Sequence, residues 1–246
     1  VKLIEVRLLQ DGGLDYEDFR NKINDKTVMV CMGMSSNALG TLNDFISVKS
    51  FLPQNCLFLL DAVHYAPHFS INVKELGCDF LLCSAYKFYG PHVGFLYSKP
   101  GLLEQLETDR LVVQDQKAPY IIETGTLNHA ACAGVSSAID FIANIGDGKS
   151  SRDKLINAFS KISSHEFALA KQLYESINNL DKVNVVGKDF SDTKRTPTVS
   201  FVHSDYTPQE ICKALASENI CAWDGHFYAL KAIQQLGLEE SGGVTR

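Results

Sequence analysis

Along the first 145 residues short apolar runs alternate with stretches of helix-like periodicity, the pattern left by strands joined through helical crossovers. Predicted strands are Leu3 to Leu8, Thr27 to Gly33, Leu57 to Asp61, Phe80 to Cys83 and Gly94 to Tyr97, with helices at Tyr16 to Ile23 and Val73 to Leu76. Runs of Val, Leu and Cys without polar alternation suit parallel strands covered on both faces. An α/β layer around a mostly parallel sheet, flanked by helices, is therefore expected.

A small-residue helix from Ala130 to Ile145 ends at Gly146, and Asp147-Gly148-Lys149-Ser150 forms a polar break. This places a domain boundary there: 1–148 a large α/β domain and 149–246 a smaller α+β domain. Residues 151–179 carry Leu155, Phe159, Ile162, Leu169, Leu173 and Ile177 at spacings of three or four, the stripe of a long amphipathic helix with His165 turned to solvent. The tail reads strand, helix, strand at Thr198 to Val202, Pro208 to Glu218 and Ile220 to Trp223. Thr207 caps the middle helix, Pro208 fits its first turn, and Glu210 completes a capping box.

The 246 residues are 45% hydrophobic and 21% charged, the composition of a folded globular chain. A formal charge of -6 gives no basic surplus for nucleic acid or anionic lipid, and no apolar run is long enough to span a bilayer. Seven cysteines, an odd number without a Cys-x-x-Cys pair, point to reduced core thiols and a cytoplasmic setting, with no disulfide framework and no metal site. The opening on Val1 and the stop at Arg246 lead us to expect that both ends are cut.

The chemistry concentrates in Asp61-Ala62-Val63-His64 and in Ser84-Ala85-Tyr86-Lys87-Phe88-Tyr89-Gly90-Pro91. In an open parallel sheet ligands bind outside the carboxyl ends of strands, where Asp61, His64, Ser84 and Lys87 would converge. A lysine that forms an imine and a carboxylate that keeps a pyridine nitrogen protonated are what pyridoxal 5'-phosphate (PLP) needs. Ser84, Tyr86 and the Gly125-Thr126 turn offer donors for its phosphate. Taken singly, Asp61 reads as a strand-end cap and Lys87 as a solvated loop lysine.

Together, the segment from Asp61 to Gly94 resembles the cofactor block of the class V aminotransferases, and the wording Asp-Ala-Val-His-Tyr-Ala-Pro-His followed by Ser-Ala-Tyr-Lys-Phe-Tyr-Gly-Pro-His is most similar to their cysteine-desulfurase-like subgroup. The resemblance implies PLP fold type I and a PLP-dependent transferase or lyase. By it Lys87 is the Schiff-base lysine, Asp61 pairs with the ring nitrogen, His64 lies near the ring hydroxyl, and Ser84 binds phosphate, with Tyr86 where a His is usual. Ser35-Ser36-Asn37-Ala38-Leu39-Gly40-Thr41 resembles the turn whose Asn contacts ring hydroxyl and substrate carboxylate. Glu123-Thr124-Gly125-Thr126-Leu127-Asn128 resembles a motif whose Thr reaches the partner subunit's phosphate, so Thr126 implies a homodimer. Arg195 is read as structural, and Arg246 matches the substrate-carboxylate arginine, although fraying is expected of a terminal residue.

The resemblance implies a small amino-acid substrate and a sulfur-acceptor protein as partner. It departs at Gly225-His226-Phe227-Tyr228-Ala229, where Tyr228 stands in place of the family's catalytic Cys, and a phenol with a pKa near about 10 forms no persulfide. Cys221, expected in a buried strand, is no substitute. The family's ring-stacking residue and one phosphate-binding turn would precede residue 1. Three readings stay open: a desulfurase-like enzyme, an aminotransferase or C-S lyase without persulfide chemistry, and a non-catalytic dimeric relative.

Overall fold

The computed structural model describes residues 1–191 and 195–246. In chain order its elements are α1 (Tyr16–Lys22), β1 (Met29–Gly33), α2 (Phe45–Ser50), β2 (Leu57–Asp61), α3 (Val73–Leu76), β3 (Phe80–Ser84), β4 (Gly94–Ser98), α4 (His129–Ala143), α5 (Ser151–Ile177), β5 (Val183–Val186), β6 (Ser200–His203), α6 (Pro208–Ser217), β7 (Asp224–Gly225), α7 (Leu230–Gln235) and β8 (Val244–Thr245). Two compact units result, one of residues 27–34 and 45–161, the other of residues 1–26, 35–44 and 162–246. The expected boundary after residue 148 does not coincide with this division, which falls inside α5. The break at 147–150 only joins α4 to α5, while residues 1–26 and 35–44 belong with the C-terminal unit.

In the α/β unit the strands stand in the order β1-β2-β3-β4. β1, β2 and β3 are parallel, with Gly33 opposite Asp61 and Asp61 opposite Leu82, whereas β4 runs antiparallel to β3, Ser84 facing Gly94. The parallel run stops there because residues 85–93 are too few for a crossover, which takes about a dozen residues or more.

Val30 and Met32 of β1 and Phe58 and Leu60 of β2 are buried at alternate positions. The expectation of two covered faces fails at β1, the edge strand, where Met29 and Cys31 are exposed. The cluster of Phe80, Leu103 and Ile121 takes in Leu57 and Leu59 of β2 and reaches no residue of β1. Asp79 is buried ahead of β3, accepting from Phe58 N at 2.9 Å, with Lys99 Nζ 3.6 Å from its other oxygen.

The predicted strand Leu3 to Leu8 does not form. Leu3 and Ile4 are exposed, and among the described residues the segment's strand pairing is a single bridge from Leu8 to Leu14. An apolar run without a neighbouring edge has no ladder to join, and Arg7 is drawn instead to Asp15 and Asp18 at the start of α1. Ile220 to Trp223 is likewise no strand, for Ile220 N donates back to Leu215 at the end of α6, and pairing begins only at Trp223, which exchanges two main-chain hydrogen bonds with Arg246, and continues into β7. The capping box of Thr207 and Glu210 forms as expected, and His165 is exposed on α5.

The α+β unit is built on an antiparallel sheet ordered β5-β6-β8-β7. Its tightest joint is Arg195, 3% exposed, which donates through Nη2 to the carbonyls of Leu39 at 2.7 Å and Thr198 at 2.8 Å, and through Nη1 to that of Lys188. Its guanidinium lies 4.2 Å from the Phe190 ring centroid, and burial pulls its pKa down to about 10. Gly40, at φ +75°, is required beside it, since a Cβ there would stand 2.7 Å from the Thr198 carbonyl oxygen. Among the described residues no helix is long and apolar enough to cross a membrane. Replacing Arg195 by Ala strands these carbonyls and should lower stability by about 3 kcal/mol, read as a shift in the urea midpoint at unchanged slope.

Candidate functional site

β2 ends on Asp61 and β3 on Ser84, and the parallel register brings both to the carboxyl edge of one sheet. The Asp61 carbonyl accepts from Met34 N at 2.8 Å, and Ala62 N donates to Leu82 at 2.9 Å, so the backbone under the carboxylate is held from both sides. The carboxylate itself is exposed, with Oδ1 accepting from Val63 N at 2.9 Å. His64 follows, its ring edge-on to His68 with centroids 5.5 Å apart.

Beyond Ser84 the chain makes a turn of 3-10 helix, Ala85–Phe88, closed by Gly90 N on the Ala85 carbonyl at 2.9 Å and tied to the β4 side by Ala85 N on Val93 at 2.9 Å. The turn leaves Lys87 exposed, with Nζ 5.3 Å from the Tyr86 ring centroid, and Tyr86 is stacked on His92 at 4.7 Å and 8°. Ser84 is half-buried and its hydroxyl makes no capping bond to the turn. Asp61, His64, Ser84, Tyr86 and Lys87 thus belong to one edge of one unit. Thr126 lies in the same unit, exposed in the segment before α4, whose cap is Asn128 with Oδ1 accepting from Ala131 N at 3.0 Å.

An exposed amine, a carboxylate with one oxygen uncommitted among the described residues, and a free hydroxyl on adjacent strand ends are the donor chemistry that PLP takes. Cys83, just before Ser84, registers the carboxylate: its thiol is pushed up to about 11 by burial, with the Asp61 charge adding to the rise. No group of His, Cys, Asp and Glu among the described residues is arranged to hold a metal.

The remaining residues of interest form a second group in the α+β unit. Arg246 is not frayed. Its main chain exchanges two hydrogen bonds with Trp223, at 2.8 and 3.0 Å, because β8 pairs with β7 immediately before it. Its Nη1 donates to the Asn37 carbonyl at 2.9 Å, and the Asn37 side chain donates through Nδ2 to the Phe227 carbonyl at 2.6 Å. Burial pulls the Arg246 guanidinium below its ordinary pKa.

Tyr228 is 99% exposed, and it and Phe227 both sit in the left-handed region, at φ +61° and +52°. Such conformations are rare for bulky residues and concentrate at functional sites. Cys221 is exposed, contrary to the expectation of a buried strand residue, and Cys31 and Cys132 are exposed as well, so the thiols are not uniformly core. Sequence reasoning gave no role to His92 or Phe227. His92 was legible as the aromatic after Gly90-Pro91, whereas nothing local marks Phe227.

A model of the family described as aminotransferase class-V matches residues 1–246. A probable cysteine desulfurase of Halalkalibacterium halodurans is 31% identical over 235 residues, covering 90% of this chain and 54% of that protein. An aminotransferase-like protein of Gibberella zeae is 29% identical over 243 residues, covering 96% and 58%. The apo structure of a cysteine desulfurase from Thermococcus onnurineus NA1 superposes with a TM-score of 0.82 at 25% identity, covering 99% of this chain and 60% of that one. The chain therefore spans little more than half the length of these relatives.

Alkylation of Cys83 at mildly alkaline pH should run about a hundredfold slower than that of an unperturbed thiol, since two pKa units separate their thiolate fractions. Asp61→Asn should speed it several-fold by removing the nearby charge. Peptide mapping of the alkylated chain reads both, and an unchanged Cys83 rate in the variant would show that the carboxylate does not act there.

Proposed function

The chain belongs to the class V aminotransferase family, and from that premise we propose that it is the cofactor-holding portion of a PLP-dependent enzyme of fold type I that acts on a small amino acid. The observation that carries the reading is the pairing of ends: Asp61 closes β2, and Lys87 follows the end of β3, its neighbour in the sheet. Singly, Asp61 would pass as a strand-end cap and Lys87 as a solvated loop lysine; their occurrence together after neighbouring strands supports the reading.

PLP, when bound, supplies a sink for the electrons released at the substrate's α-carbon. Lys87 would be the covalent anchor for the cofactor, and its Nζ would be the group to take the α-proton. The Asp61 carboxylate, with Oδ1 fixed by the Val63 N-H, would keep a proton on the ring nitrogen. Ser84 and Tyr86 serve the phosphate, His64 the ring hydroxyl, and Thr126 the phosphate of a second subunit in a homodimer. Asn37 and Arg246 serve the substrate carboxylate, for which a planar fork of donors is apt.

Within this reading transamination or C-S bond cleavage ranks ahead of sulfur transfer to an acceptor protein. Tyr228 supports that order: an exposed phenol stands at the loop position where the family presents its thiol, and a phenol oxygen cannot carry a persulfide. Cys221 is exposed and is the thiol to eliminate as a substitute nucleophile.

Full-length protein mixed with PLP should turn yellow, and Lys87→Ala should abolish the visible band without loss of fold by circular dichroism. Protein that stays colourless would overturn the reading. With L-cysteine as substrate, the expected products are sulfide, pyruvate and ammonia, or 3-mercaptopyruvate when a keto acid is added as amino acceptor. Alanine with protein-bound sulfane sulfur, lost in Cys221→Ser, would reverse the ranking in favour of desulfuration.

A further inference from the structure

Phe227 meets the buried core, Asn37 and the Arg246 guanidinium. Its side chain packs against the buried cluster of Ala38, Leu39, Val186, Ile233 and Val244, its carbonyl accepts from Asn37 Nδ2 at 2.6 Å, and its ring lies 4.0 Å from the Arg246 guanidinium carbon. The guanidinium is held at two places and its main chain at a third. Phe227 covers one face, the Asn37 carbonyl takes Nη1 at 2.9 Å, and the Trp223 pairing holds the main chain. Nε and Nη2 have no acceptor among the described residues, and they form the edge with which an arginine makes two parallel bonds to a carboxylate.

We infer that Phe227 is a positioning residue for substrate binding, holding Arg246 flat so that its Nε-Nη2 edge meets the α-carboxylate of an amino acid. The inference rests on the reading in which Arg246 takes that carboxylate. It also links the carboxylate subsite to the loop, because Phe227 directly precedes Tyr228 and shares its left-handed backbone. Whatever fixes the ring under the guanidinium fixes the direction in which the phenol is presented.

A ring over a half-buried guanidinium contributes about fivefold in affinity. The test uses full-length protein loaded with PLP, titrated with L-alanine and, separately, with ethylamine, which lacks the carboxylate, and followed by the change in the visible spectrum. Phe227→Ala should weaken L-alanine binding about fivefold and leave ethylamine unchanged, and Phe227→Tyr should restore L-alanine binding. In an Arg246→Ala background the Phe227→Ala change should add nothing, which a merely structural role would not produce. Equal weakening of both ligands, or the same loss with and without Arg246, overturns the inference. Failure of the underlying reading is distinct: Arg246→Ala alone would then leave L-alanine binding unchanged.

Discussion

The parallel ladder between β2 and β3 is the constraint on which the candidate site depends. Setting Asp61 opposite Leu82 fixes how far each strand projects at the carboxyl edge, and with it the level of the carboxylate against the turn that carries Lys87. A slip of one residue would turn each side chain of the strand to the other face of the sheet. The register is pinned from below as well as along its length. Buried Asp79 binds Phe58 N of β2 from the start of β3, and Phe58 and Leu60 sit fully buried at the alternate positions that hold β2 in place.

In the α+β unit a buried cation does the comparable work. Arg195 ties the remote carbonyl of Leu39 to those of Lys188 and Thr198 in its own stretch of chain, while Gly40 leaves room for the crossing. Burying such a group is unfavourable unless its donors are met, and here carbonyls meet Nη1 and Nη2, whereas Nε is buried without an acceptor among the described residues. The segment 35–44 is so anchored, and Asn37, which it carries, is thereby offered to Phe227 and Arg246.

The loop from Gly225 to Tyr228 is the chemically unusual part of this chain. A left-handed Phe followed by a left-handed Tyr is a costly backbone, and it persists because Phe227 is anchored in the core and at Asn37. The outcome is an exposed phenol directly after a ring that lies on the Arg246 guanidinium.

By itself the sequence determined what local pattern and residue chemistry control. Apolar runs bounded by turns placed β2 and α3 to the residue, the Thr207-Glu210 spacing placed the start of α6, and the order acid, Ser, Lys, Gly-Pro marked the strand ends at which Asp61 and Lys87 stand. Whatever depends on partners remote in the chain was decided by tertiary structure. Leu3 to Leu8 has strand composition but no neighbouring edge, and β1 has an apolar run but no cover for Met29 and Cys31. β4 turned antiparallel because its connection is short, and Arg246 was ordered by Trp223 and Asn37, which no terminal residue announces. Phe227 became a determinant for the same reason: its meaning lies in contacts at residues 37 and 246, and pairings across such separations leave no periodic trace in the chain.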